Sequence, residues 1–372
     1  MILIKEVKTK KEQKEFLNFP LNLYKGNDCF VPPLYGDEKK IFSKNYMYND
    51  TCEAVYYNAY MDGKMVGRIS GIIQRASNKK TNENRARFTR FDSIDNQEVA
   101  NALFGEVEKW AKSKGMDIIC GPLGFSDLER EGLLIEGFNE LATFEEQYNY
   151  DYYQKLIENL GYVKEVDWLE RKIYPPKKIS ERAKKLSSLM MDKYNLHFGT
   201  AKNINDFLRK YSEGIFHLID TTYDKLYGTV PFTDAMKKNL IDNFKLIISL
   251  KYTAVICDEE ENVVCFALCF PSLARAVQKS NGRLTPAALI RILKAVKNPK
   301  IIDLALIGVL PEYLNRGIST ALMVKLLEIF LVEKIEYAET NLNLEDNLAI
   351  QNQWKNFENF LHKRRRAFIK KI

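Results

Sequence analysis

Gly317 has the clearest chemical opportunity in this 372-residue chain. It stands between an unbroken apolar run at residues 304–310 and a second apolar stretch in which Ile318, Leu322, Leu326 and Ile329 recur at helical spacing. The first run has the length of a strand buried on both faces, and Pro311 ends it because proline has no N–H for a ladder. A glycine where a strand turns into a helix lets backbone N–H groups close on a phosphate at the positive end of the helix dipole. Any strand–turn–helix unit can also use a turn glycine without a ligand, so the pattern alone leaves both readings open. Two carboxylates flank the same elements. Asp303 opens the apolar strand and Glu339 lies in YAETN on the next predicted strand. Either could accept a proton in a reaction; their plain readings are a solvated strand-start aspartate and an edge-strand surface charge.

A chain of this length exceeds one ordinary core and predicts two domains. With 46% hydrophobic and 28% charged residues it is a folded protein, not a disordered one. The net charge of +7 suits an anionic ligand but is spread along the sequence, so it does not by itself argue for nucleic acid. The densest basic run, residues 363–366, reads as a solvated edge. Six cysteines without a CxxC pair, several in strand-like runs, predict buried reduced thiols in the cytoplasm. Three dispersed histidines, His197, His217 and His362, predict no histidine metal site. The start, MILIKEVKTKKEQ, has the wrong order for a secretory leader, and no apolar run approaches the roughly 20 residues of a bilayer span.

The same plan is written twice. VYYNAY and KMVGRISGII flank Met61-Asp62-Gly63, a hairpin signal, while YTAVIC and NVVCFALCF flank the acidic turn 258–261. Residues 102–120 lie on residues 321–339 without a gap, helix then strand. Carried backwards, this alignment sets Gly317 opposite Glu98 and residues 311–316 opposite 92–97. The first copy then carries Asp92, Asp95 and Glu98 where the second has Gly317 and Arg316, and carboxylates there would repel a pyrophosphate. Pro175-Pro176, within 173–182, marks a linker. The expected domains are residues 1–175, without a cofactor turn, and residues 176–372, with one. Residues 271–299, holding Gly282 and Pro286, read equally as a lid or as a plain surface insertion.

These residues resemble the GNAT superfamily of acyl-CoA N-acyltransferases, in particular a tandem bacterial group of unassigned substrate. The family's turn, Q/R-x-x-G-x-G/A, is matched by Leu314, Asn315, Arg316, Gly317, Ile318 and Ser319, with Leu314 departing from the polar first position. GPLGF, IGVLPEY and KRRR carry the broader likeness. The resemblance implies an α/β fold (α+β mixed sheets), two GNAT-like domains in tandem with the first degenerate. It implies that acetyl-CoA or another acyl-CoA is the cosubstrate, with no metal. Asn315, Arg316, Gly317, Ile318, Ser319 and Thr320 would hold its pyrophosphate, Ile307, Gly308 and Val309 would pair with the pantetheine arm, and Asn347 would supply a second motif. Trp354 stands where the family often places a tyrosine as general acid, a role closed to an indole N–H.

Acyl transfer to an amine needs a base, and Asp303 takes the position of a strand glutamate in some relatives, with Glu339 as the alternative. Tyr223, Tyr227 and Phe232 would line an acceptor site, although helix packing explains such aromatics as well. The acidic segment 121–136 would suit a cationic amine. The implied activity is transfer of an acyl group, acetyl in the first instance, to a small-molecule amine, with no membrane contact. The alternatives are a long-chain donor, an aminoacyl-tRNA donor (the one case that brings in nucleic acid), and a non-catalytic CoA-ester-binding protein.

Overall fold

The computed structural model describes residues 1–245 and 247–372. The chain opens with β1 (Ile2–Glu6), α1 (Lys10–Leu23), α2 (Tyr35–Lys40), β2 (Cys52–Met61), β3 (Lys64–Gln74), α3 (Arg75–Thr81), β4 (Arg85–Ser93) and α4 (Gln97–Ser113). It continues with β5 (Ile118–Gly121), β6 (Leu133–Glu136), α5 (Tyr152–Glu158), β7 (Val163–Tyr174), α6 (Glu181–Lys193), β8 (His197–Phe198), α7 (Ile204–Tyr223) and α8 (Asp234–Phe244). It ends with β9 (Thr253–Cys257), β10 (Val263–Pro271), α9 (Ala274–Gln278), α10 (Pro286–Lys297), β11 (Ile301–Val309), α11 (Ile318–Glu333), β12 (Tyr337–Thr340), β13 (Asn343–Leu344), α12 (Leu348–Trp354) and β14 (Glu358–Lys371).

Two compact units emerge, the first from residues 1–169, 274–291 and 362–372, the second from residues 170–273 and 292–361. The first unit's sheet runs β1-β2-β3-β4-β5-β14, and the second's runs β8-β9-β10-β11-β12-β7. Neighbouring strands are antiparallel except for β4 with β5 and β11 with β12, where a helix makes the crossover between parallel strands. Each sheet thus repeats one plan. Its sixth strand is exchanged in sequence: the chain's end completes the first sheet, and residues 170–174 of β7 complete the second.

Local signals explain the elements that matter most. Asp62 and Gly63, at φ 51° and 76°, make the turn that the β2–β3 hairpin needs. α7 is capped by the Asn203 side chain and buries Phe207, Leu208, Tyr211, Ile215, Leu218 and Ile219, a helical stripe. In the second unit Ile318, Leu322 and Leu326 of α11 pack with Ile302 and Ala338 on one sheet face. Leu218 of α7 packs with Phe266 and Phe270 on the other. Five of the six cysteines are buried and all are free.

The basic run 363–366 is not a solvated edge. It lies in β14, where Arg365 is 0% and Lys363 1% exposed. Burying guanidinium groups requires partners. Arg366 donates to both Asp167 carboxylate oxygens at 2.8 and 3.0 Å, and Arg365 faces Glu146 and the Gln147 carbonyl.

Candidate functional site

The second unit is shaped around a defect in β11. Its parallel pairing with β12 covers only residues 301–304, and the Asn341 N–H then closes on the Leu304 carbonyl as the neighbouring chain leaves. At the same point the pairing with β10 slips: Leu268 sits opposite Leu306 and Cys269 opposite Leu304, so Ala305 is an extra residue. A bulge of this kind bends the strand and resets which groups face which side. Beyond it, the Leu310 N–H donates to the Val264 carbonyl. Hydrogen-bonding residues alternate along an antiparallel pair, so the N–H and C=O of Ile307 and Val309 turn away from β10 toward the edge that β12 has vacated.

The Tyr223 hydroxyl reaches that edge from the end of α7. It donates to the Ile307 carbonyl at 2.9 Å and accepts from the Ile307 N–H at 3.2 Å. Gly308, between the two outward-facing residues, is compact for another reason: a Cβ there would lie 2.4 Å from Leu218 Cδ2 and 2.6 Å from Phe266 Cε1. The close approach it permits is to the protein's own core.

From this edge the chain passes through residues 310–317 into α11. Asn315 and Gly317 both take left-handed backbone, at φ 60° and 76°. Gly317 occupies the N-cap position, and no described side chain caps the helix. N–H groups of the first turn, including those of Ile318 and Ser319, therefore lack the cap that α-helices ordinarily carry. Arg316 is exposed, with its guanidinium over the rings of Tyr194 at 5.1 Å and Tyr313 at 5.8 Å. A Cβ at Gly317 would meet Met190 Cγ of α6 at 3.2 Å.

The two carboxylates come together. Asp303 and Glu339 are register partners across β11 and β12, side by side on one face, 5% and 6% exposed. Lys172 of β7 stands next to Glu339 in the same ladder. Asp303 also acts on Cys269, whose thiol is pushed up to about 12, first by burial and then by the Asp303 charge. The other predicted residues have contacts of their own. Asn347 caps α12, accepting from the Ile350 N–H; Trp354 is 4% exposed and its indole N–H donates to Asn343 Oδ1 at 2.8 Å. Phe232 packs edge-on against Phe216 with ring centroids 5.0 Å apart, and Tyr227 is half-buried in the segment after α7. Sequence reasoning missed the Tyr223–Ile307 pair; only the position of Tyr223 at the end of an amphipathic helix could have suggested it. His197, Cys257 and Glu261 also converge within 4.8 Å. Burial and the charges of Glu261 and Asp258 push the Cys257 thiol up to about 12.

The corresponding region of the first unit is closed. Asp92 is not in the turn: β4 runs to Ser93, and only residues 94–96 precede α4, where residues 310–317 precede α11. The gapless alignment fails there because the two turns differ in length. Asp92 instead receives Arg68 Nε at 2.7 Å and the Tyr24 hydroxyl at 2.9 Å. The Asn96 side chain caps α4, accepting from the N–H groups of Glu98 and Val99. Within the acidic segment 121–136, Glu129 accepts from the Tyr46 hydroxyl and the Phe125 N–H.

No family model matches the chain. It is 26% identical over 386 residues to Protein YghO of Escherichia coli (strain K12), spanning 100% of this chain and 95% of that protein. It is 26% identical over 316 residues to the bacterial ceramide synthase of Caulobacter vibrioides (strain NA1000 / CB15N), spanning 82% and 80%. Among solved structures, a tandem GNAT protein from the clavulanic acid biosynthesis pathway superposes with a TM-score of 0.56 at 10% identity, covering 100% of this chain and 98% of its own. A conserved protein of unknown function from Enterococcus faecalis V583, described as a probable N-acyltransferase, gives a TM-score of 0.52 at 9% identity, covering 100% and 73%. Identities this low between solved structures and the chain carry architecture alone, and that architecture matches the repeated six-stranded plan described above. The chain has the fold of a tandem GNAT protein.

Proposed function

We propose that the second unit is an acyl-CoA-dependent N-acyltransferase, moving an acyl group from the CoA thioester to the amine of a small molecule. The observation that carries this reading is the vacated edge of β11 leading to the uncapped N-terminus of α11. A ligand with an extended, amide-bearing arm and a pyrophosphate at its far end calls for both features in that order. Ile307 and Val309 would hold the arm by strand-like bonds, with Gly308 between them. The backbone of residues 315–320, with the Arg316 charge, would hold the pyrophosphate, a contact that needs no side chain at Leu314. Asn347, the helix cap of α12, would supply the second motif.

The amine must lose a proton to attack, and Asp303 with Glu339 is the carboxylate pair on the strand that leads to the site. Ile307 lies four positions along the strand from Asp303, about 13 Å at ~3.3 Å per residue, so the proton would need a relay between them. The thioester oxygen gains charge and takes an N–H from the β11 edge. Trp354 is committed to the core, and the Tyr223 hydroxyl takes the place of the proton donor to the leaving thiolate. Tyr227 and Phe232 border the acceptor side. The first unit holds no donor.

A second reading gives the donor a long acyl chain and the acceptor a lipid amine. The likeness to a ceramide synthase over 82% of the chain favours it over acetyl transfer to a polar amine.

Calorimetric titration with CoA, acetyl-CoA and palmitoyl-CoA tests the proposal. The expected result is one site per chain, lost in Gly317→Glu while the melting temperature falls by only a few degrees. Absence of binding by every donor would refute the proposal, and two sites would refute the assignment of an empty first unit. Asp303→Asn should lower kcat by about 100-fold or more at unchanged donor affinity. Donor binding without turnover on any amine would leave a CoA-ester-binding protein.

A further inference from the structure

We propose that α10 docks on the surface of an anionic lipid membrane. The helix is amphipathic in the wrong sense for a soluble protein. Its buried face is made by Ala288 and Ile292, at 0% and 9% exposed. Its larger aliphatic residues face solvent: Leu289 is 43%, Ile290 67% and Leu293 66% exposed, with Leu284 just before the helix at 47%. Residues 286, 289, 290 and 293 follow the i, i+3, i+4, i+7 spacing of one helix stripe. A stripe of that kind ordinarily faces a core, and contiguous apolar surface left outside marks a place where something else covers it.

The charge around the stripe says what covers it. No aspartate or glutamate occurs between Glu261 and Asp303, while Arg291, Lys294, Lys297 and Lys300 lie in or just after the helix. Two earlier basic residues of the segment are committed elsewhere: Arg275 donates to the Asp28 carbonyl, and Arg283 stacks 4.0 Å over the Tyr35 ring. Lys294 and Lys297 are exposed beside the apolar stripe, whereas Arg291 is partly covered with its Nε buried. Bulky aliphatic residues edged by lysine, on a helix that does not itself span, describe an element lying in the headgroup layer. At twelve residues α10 is about 18 Å long, well short of the ~30 Å hydrocarbon core. No helix among the described residues is long and apolar enough to cross a membrane. The proposal concerns attachment from one side and does not rest on the acyltransferase reading.

Co-sedimentation of the full chain with vesicles is the test, using phosphatidylcholine alone and an equal mixture of phosphatidylcholine and phosphatidylglycerol. The mixed vesicles should bind at least about tenfold more tightly, with the preference falling as salt is raised. Ile290→Ser with Leu293→Ser, both at exposed positions, should weaken that binding about tenfold or more without lowering the melting temperature. Lys294→Glu with Lys297→Glu should remove the preference for the anionic lipid, about fivefold per residue. Failure of the mixed vesicles to sediment the protein would overturn the proposal, as would binding that both variants leave unchanged. A concentration-dependent dimer that the serine variant dissolves, with no vesicle binding, would assign the stripe to a second copy of the chain instead.

Discussion

β4 and β11 occupy the same place in their sheets, and the same event befalls both. Each pairs in parallel for a few residues, residues 85–87 with β5 and residues 301–304 with β12, and each then gains an extra residue against its antiparallel neighbour. Past that point the two strands diverge. Along β4 the Phe88 carbonyl accepts the Leu123 N–H, and Ser93 is held by two phenols, its N–H by Tyr153 and its carbonyl by Tyr152. At the bulge itself, Arg90 at φ 49° sends its guanidinium to Glu38, with both bonds at 3.0 Å, and to Glu129 at 3.6 Å. Along β11 the bulge residue is Ala305, and a tyrosine hydroxyl covers Ile307. One backbone plan can therefore be sealed by several side chains or left with a single tyrosine hydroxyl over it, and the difference lies in the side chains, not the topology.

The seal of the first unit should be the easiest part to break. Arg90→Met leaves Glu38 and Glu129 covered and without their cation, which should cost about 3–5 kcal/mol and roughly 10 °C of melting temperature. The acid limb of stability carries the same information. Burial would raise the Glu38 carboxyl, yet the Arg90 guanidinium outweighs it and holds the group at about 2. A carboxyl depressed on folding adds stability above its unfolded value near 4.5 and loses it as the pH falls through 2. In the wild type that window should remove about 3 kcal/mol, and in Arg90→Met it should remove far less. Urea titrations across pH 2–5 would show it. Equal losses in both proteins would mean that Arg90 does not set the Glu38 charge.

Tyrosines on the two edges should respond in opposite ways to the loss of a hydroxyl. Tyr223→Phe removes a competitor for the Ile307 backbone, so acyl-CoA should bind equally well or up to about fivefold tighter, while turnover falls about tenfold or more. Tyr153 accepts from the Ser93 N–H and lies 2.8 Å from the Tyr24 oxygen, whose one proton goes to Asp92, in a fully buried setting. Tyr153→Phe should cost about 1–3 kcal/mol of stability and leave donor affinity alone. A loss of stability in Tyr223→Phe with unchanged kinetics would make both residues structural and erase the contrast.

Much of this was legible in the chain because it rests on periodicity. The apolar run ending at Pro311, the helix after Gly317 and the Asp62-Gly63 hairpin are local patterns, and each appears where the spacing puts it. The bulge at Ala305 was not legible, since an extra residue in an apolar run leaves no mark when neighbours on both faces are apolar. Nor was the exchange of β7 and β14: residues 363–366 read as solvated because their partner, Asp167, lies some 200 residues earlier and pairs only in the fold. The turn carboxylates failed in part for a similar reason. Asp92 looked like a turn residue until strand pairing placed it opposite Arg68. The pairing of Asp303 with Glu339 follows from the parallel register, which the sequence does not state.

The smallest predicted effect separates the two features that distinguish the units, the helix cap and the strand edge. Asn96→Gly removes the side chain that occupies the N–H groups of Glu98 and Val99, at a cost of only a few tenths of a kcal/mol. If the cap alone kept the first unit from holding a pyrophosphate, this variant should acquire a second, weak CoA site. The edge argues otherwise: Leu123 and the tyrosine pair already occupy Phe88 and Ser93, so an arm laid along β4 has no place to bind. Calorimetry on Asn96→Gly should therefore still find one site per chain. A second site would mean that the cap, one side chain at one helix end, is what divides the two units.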